Sequence, residues 1–363
     1  MKVLKPTLLA FCVALSFNAM ATVSATSTQT SQTQKLPVIE AELTVAPHVP
    51  APITRNYPAR VLVNLEVQEK IMPITEGVDY KYWTFNGSTP GPFIRVREGD
   101  TVEVKLANPP TSRMPHSIDF HAVSGQNGGV QASETMPNKM TTFAFKAVYP
   151  GLYLYHCGST PSASIHLSKG MFGLILVEPK EGLSKADKEY FIVQNEFYIN
   201  ESGADPHSSV SQKVTQNNER LVTMDMAKAM AEQPDFVVFN GHAGTLLDNN
   251  ALKAKVGDKV RLFVGNAGPN LASSFHIMGK VMDNVQVEGG SVQNHNVQTT
   301  LIPAGGATII DLNMQTPGKY MFVDHSLFRS MKGAMGEIVV DGEPNLELFE
   351  GRIKTEPYQS LIK

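Results

Sequence analysis

The stretch Pro150-Gly151-Leu152-Tyr153, continuing through Tyr155-His156-Cys157 to Lys169-Gly170-Met171-Phe172-Gly173, returns in altered form further along the chain. Its second copy reads Pro317-Gly318-Lys319-Tyr320, Asp324-His325-Ser326 and Lys332-Gly333-Ala334-Met335-Gly336. Outward from it, Phe85-Asn86-Gly87 with Gly99-Asp100-Thr101-Val102 recurs as Phe239-Asn240-Gly241 with Gly257-Asp258-Lys259-Val260. Such self-similarity marks a duplicated structural unit. Between the motifs run short alternating segments such as Arg60-Val61-Leu62-Val63-Asn64-Leu65 and Thr101-Val102-Glu103-Val104-Lys105-Leu106, punctuated by Gly, Pro and Asn. Alternation over a few residues between turn signals is the mark of half-buried strands, and many such strands build sandwiches. The expected fold is therefore all-β: two tandem Greek-key β-sandwich domains over 41–185 and 186–342, linked near Lys180 to Asp187, with a tail over 343–363. On this repeat Cys157 falls opposite Asp324 and Met171 opposite Ala334, so the second half lacks two sulfur atoms that the first half has.

The chain has 363 residues, enough for two domains that each bury a core without staples. Lysine plus arginine, 31, nearly balances aspartate plus glutamate, 34, and no basic run carries interleaved aromatics, so no nucleic-acid partner is expected. Lys2 and Lys5, an apolar run from Leu8 to Phe17 broken only by Ser16, and small residues ending at Ala21 or Ala25 read as a secretory signal peptide over 1–25. That run is too short to cross a ~30 Å hydrocarbon core, and a periplasmic location follows. Cys12 lies inside the apolar run behind Phe11, which disfavours an outer-membrane lipid anchor. Residues 26–40, within a region rich in Ser, Thr and Gln, read as a disordered tether. Without the signal, Cys157 is the one cysteine that remains. A lone thiol in an oxidising compartment is buried and inert, paired between chains, or bound to metal.

Its neighbours favour metal. His116, Cys157, His166 and Met171 supply two imidazoles, a thiolate and a weak thioether, the ligand set of a blue-copper electron-transfer site. A packing methionine beside an inert thiol is the plainer alternative. Adjacent residues on a strand point to opposite faces, so His156 turns away from Cys157. If Pro115 to His121 is extended, His116 faces one side while Asp119 and His121 face the other. Two sites back to back follow, the second built on His121 and His156 with Asp119 beside it. His325, after the second Pro-Gly-x-Tyr turn, is the candidate third imidazole of an open, catalytic site, against the reading of an ordinary strand-end histidine. His48, His207, His242 and His295 read as surface or turn residues.

These residues resemble the copper nitrite reductase family. The resemblance rests on Pro115-His116-Ser117-Ile118-Asp119-Phe120-His121, Tyr155-His156-Cys157, His166 with Met171, Phe275-His276, and Asp324-His325-Ser326, and runs from about Val61 to Val340. It implies tandem cupredoxin domains in a homotrimer that reduces nitrite to nitric oxide, with a small redox protein, a cupredoxin or c-type cytochrome, as donor. By the family pattern His116, Cys157, His166 and Met171 hold a type 1 copper. His121 and His156, with His325 from a neighbouring subunit, hold a type 2 copper. Asp119 and His276 are the implied proton donors; the plainer readings are a turn-capping carboxylate and a satisfied core histidine. Two features depart from the pattern: the loop between Cys157 and His166, and Met278 where a branched aliphatic residue is usual. A two-domain multicopper oxidase would need His-x-His pairs and His-Cys-His, which the sequence lacks, and a simple electron carrier would use the first site alone.

Overall fold

The structure, a computed structural model, describes residues 36–201 and 220–362. The expected signal peptide, Cys12, most of the tether and His207 lie outside the described residues. In the first half, one sheet has the order Ile199–Asn200, Arg220–Met224, Val78–Phe85, Arg60–Thr75, Thr101–Asn108, Lys139–Lys146. The facing sheet runs Ile94–Arg97, Phe172–Glu178, Gly151–His156, Asp119–Phe120. Along Thr101–Asn108 alternate residues are buried, as a strand with one face on a core demands. Val61, Val63, Val102 and Val104 from one sheet meet Phe120, Tyr155 and Val177 from the other. Each such side chain, fully buried, contributes roughly 1.5–3 kcal/mol.

The second half repeats the plan. One sheet has the order Phe236–Phe239, Lys188–Phe197, Lys259–Asn266, Ala307–Asn313, Met282–Gln286, Gln293–Val297; the other runs Leu252–Lys255, Met335–Asp341, Gly318–Asp324, Ser273–Ile277, Thr299–Ile302. The repeated Asn-Gly pairs do the same job in both halves. Asn86 and Asn240 have φ of 56° and 54°, and Gly87 and Gly241 both have 79°, the left-handed conformation that Asn and Gly adopt most readily as the chain turns out of each strand.

Two expectations are corrected. Val38–Glu40, assigned to the tether, is a strand paired in parallel with Arg60–Leu62, its backbone satisfied by the edge it covers. The division at residue 185 is not a clean cut, because Ile199–Asn200 and Arg220–Met224, from the second half, extend the first half's sheet through parallel pairing with Val78–Tyr80. Between the sandwiches lies a third apolar cluster, in which Phe93, Leu152, Leu154 and Leu174 pack on Phe191, Val193, Phe263 and Ile309. Phe93 is fully buried, with its ring 5.2 Å from that of Phe191 and 5.3 Å from that of Phe263. A buried ion pair joins the halves as well, Arg95 donating to Glu189 at 2.6 Å.

Candidate metal centres

The strand Gly151–His156 sorts its residues by parity. Leu152 and Leu154 enter the cluster between the sandwiches, while Tyr155 and, one step beyond the strand, Cys157 enter the core of the first sandwich. Cys157 is fully buried, and its Sγ lies 3.1 Å from His166 Nδ1 and 3.7 Å from His116 Nδ1, with those two nitrogens 3.2 Å apart. Ser162–Lys169 closes over the thiol as a short helix, Ala163–Ser168, whose last turn carries His166. The ring of His166 is set by a hydrogen bond from Nε2–H to the Thr160 carbonyl at 2.9 Å, which turns Nδ1 toward the sulfur. Trp83 meets both imidazoles edge-on, at 5.5 and 4.8 Å between ring centroids. Burial pushes the Cys157 thiol pKa up, against hydrogen bonds from Ser117 and Ser159 that pull it down. Burial, and then His166, lowers that of His116 well below the usual value. Two imidazole nitrogens and a sulfur converging out of water are a donor set that a soft metal cation satisfies. Met171 is fully buried in the same core and its carbonyl accepts the Cys157 N–H at 3.0 Å.

On the opposite face stands a second cluster: Asp119, His121 and His156. Asp119 pairs with His156 across the two strands. His156 Nδ1–H donates to the Cys157 carbonyl at 3.0 Å, so its Nε2 faces outward, 3.2 Å from His121 Nε2 and 3.8 Å from Asp119 Oδ2. Desolvation and the adjacent His156 lower the pKa of His121, opposed by Asp119. The backbone of Gly305, in the second sandwich, also contacts the His121 ring. His325 is exposed and stands with His276 instead, ring centroids 5.0 Å apart and planes at 85°. Among the described residues it does not join the His121–His156 cluster within one chain. His276 Nδ1–H donates to the Gln298 carbonyl at 2.7 Å, with Thr299 Oγ1 at 3.3 Å. Sequence reasoning missed Gln298 and Thr299, because their partner is reached only through the pairing of His276 with Thr299 across two strands.

Strand register shows how the sandwiches correspond. Asp119 pairs with His156, and His276 pairs with Val323, so Asp119 and His276 occupy equivalent positions, as do His121 and Met278. Met278 is part-exposed, its N–H donating to the Met321 carbonyl at 2.8 Å as the His121 N–H donates to that of Leu154 at 3.1 Å.

A copper-containing nitrite reductase of Neisseria gonorrhoeae is 51% identical over 325 residues, covering 89% of this chain and 79% of the relative. The chain belongs to the copper-containing nitrite reductase family. The Neisseria meningitidis serogroup B member of that family is likewise 51% identical over 325 residues, covering 89% of this chain and 80% of its own length. The copper nitrite reductase structure from Nitrosomonas europaea superposes on the chain with a TM-score of 0.67 at 34% identity, covering 79% of this chain and 96% of that one. Two family models, both described as multicopper oxidase, match residues 66–182 and 188–339, one per sandwich. This chain carries two donor clusters, one fully buried and one that reaches the surface at His121, joined by one peptide bond.

Proposed function

We propose that the protein is a copper-dependent nitrite reductase, converting nitrite with one electron and two protons to nitric oxide and water. The observation that carries this reading is the pair of clusters back to back: Cys157 facing His116 and His166 on one side, His156 facing His121 and Asp119 on the other. Copper bound there would supply one-electron redox chemistry: His116, Cys157, His166 and Met171 would hold a type 1 ion on the side of the electron donor, and His121, His156 and His325 a type 2 ion on the side of nitrite. The Cys157–His156 peptide connects the two ligand sets by the shortest covalent route a chain offers. Asp119, half-buried with Oδ2 toward His156, is placed to hydrogen-bond a nitrite oxygen and hand it a proton. His276 donates from Nδ1 to Gln298 and so presents Nε2 for the second proton.

The exposed His325, away from His121 and His156 in its own chain, supports a site shared between copies in a homotrimer. A small cupredoxin or c-type cytochrome in the periplasm would serve as donor, in keeping with the signal-like N-terminus. Dioxygen reduction at a three-copper cluster is disfavoured, since the chain contains no His-x-His pair.

The test is copper content per chain together with nitrite-dependent nitric oxide production from an artificial donor. Two coppers and nitric oxide are expected. One copper per chain and no nitric oxide would make the protein an electron carrier and overturn the proposal.

A further inference from the structure

The second sandwich holds a different set of side chains where the first holds its thiolate cluster. The Cys157 N–H donates to the Met171 carbonyl at 3.0 Å, and the Asp324 N–H donates to that of Ala334 at 3.2 Å. With the strand register above, His116, Cys157, His166 and Met171 correspond to Ser273, Asp324, Arg329 and Ala334. A metal-binding quartet has become a hydroxyl, a carboxylate, a guanidinium and a methyl.

Asp324 is fully buried, and its carboxylate accepts four hydrogen bonds. Oδ2 accepts from Gln194 Nε2 at 3.0 Å and from Arg329 Nη1 at 3.1 Å. Oδ1 accepts from the backbone N–H of Ser274 at 3.2 Å and of Ser326 at 3.0 Å. Arg329 Nη1 also donates to the Ala272 carbonyl at 2.6 Å, and Ser273 Oγ donates to Gln194 Oε1 at 2.7 Å. A buried carboxylate costs several kcal/mol to desolvate unless donors replace the lost water, and here four donors, one of them cationic, do so. The Ser117 N–H donates to Cys157 Sγ at 3.4 Å, so its counterpart Ser274 donates to the replacement acceptor in the same way.

These bonds converge on the backbone around His325. Ser326 follows it in the chain, Asp324 precedes it, and the His325 N–H donates to the Ser274 carbonyl at 2.8 Å. The peptide N–H after the imidazole is therefore bonded to the buried carboxylate, and the one before it to the carbonyl of Ser274, whose own N–H donates to the same carboxylate, with the ring 5.0 Å from His276.

We propose that Asp324 and Arg329, standing where the first sandwich has its thiolate cluster, form a clamp that positions His325 for copper. The clamp rests on the reading of His325 as a ligand. Partners that orient a metal ligand from behind are worth about 10–100-fold in metal affinity. In the holoenzyme, Arg329→Gln should weaken retention of the histidine-site copper against a graded chelator by about that factor and alter that copper's paramagnetic resonance spectrum. The visible absorption from the thiolate site should stay unchanged. Arg329→Lys, which can still donate to Oδ2, should restore most of the retention. A purely structural role would lower the melting temperature and leave copper affinity and spectrum alone. Asp324→Asn should act in the same direction and more strongly. Should it fail to fold, Arg329→Gln, which keeps three of the four donors, decides. Wild-type retention and spectrum in folded Arg329→Gln, with the copper lost in His325→Ala, would overturn the clamp alone. Retention of that copper in His325→Ala would overturn the ligand reading and the clamp with it.

Discussion

At Gly128 the Asp119 carboxylate occupies the place a side chain would take: a Cβ there would lie 1.8 Å from Oδ1. The residue also sits in the left-handed region, φ 58°, which glycine tolerates without cost. The carboxylate is thus walled in by the Gly128 backbone on one side and His156 on the other. Asp119→Asn should leave both coppers and the colour in place yet lower nitrite turnover on the order of 10²-fold or more, the usual loss when a positioned acid is removed. Near-normal turnover from pH 5 to 8 would reduce Asp119 to a structural residue. Gly128→Ala should also slow turnover, by displacing the same carboxylate. Asn127→Ala imposes comparable left-handed strain one residue away, at φ 48°, and should not slow it. Equal losses in the two variants would trace the effect to the loop instead of the carboxylate. At the thiolate site, Cys157→Ser should bleach the copper–thiolate absorption while copper stays at the histidines. A colourless wild type fully loaded with copper would refute that assignment.

Among the elements, the strand Gly151–His156 organises the molecule, since its two faces serve two cores and its end divides two clusters of donor side chains. Phe93 seals the cluster behind it. Phe93→Ala should destabilise the chain by about 3–5 kcal/mol, read as a fall in the denaturant midpoint, because the cavity opens between two sandwiches that cannot easily collapse onto it. A loss under about 1 kcal/mol would mean that the interface relaxes freely. The opposite aim of His156 and Cys157 was legible from sequence, because strand alternation is local and allows no other arrangement. Val38–Glu40 was not legible, since its partner is a backbone edge and not a side-chain pattern. The pairing of Arg220–Met224 with the first sandwich is a long-range contact with no local signal. Gly128 and Arg329 escaped notice for a related reason: each acts on a residue several positions away, Asp119 and Asp324, through packing that only the folded chain brings together.

For the molecule as a whole, the central claim is that the catalytic copper site takes His121 and His156 from the first sandwich of one copy and His325 from the second sandwich of another. Exposed apolar side chains around His325, namely Leu327 at 52%, Phe328 at 82% and Met331 at 79%, fit burial against a neighbouring copy. Head-to-tail packing of three copies closes a ring in which every such contact is the same. The most direct measurement is to dissociate His156→Ala and His325→Ala chains, co-assemble them, verify mixed trimers and assay nitrite reduction with an artificial donor. Each variant alone is expected to be inactive, and the mixture is expected to regain activity, because some interfaces then join an intact first sandwich to an intact second one. No recovery in verified mixed trimers would contradict the shared site.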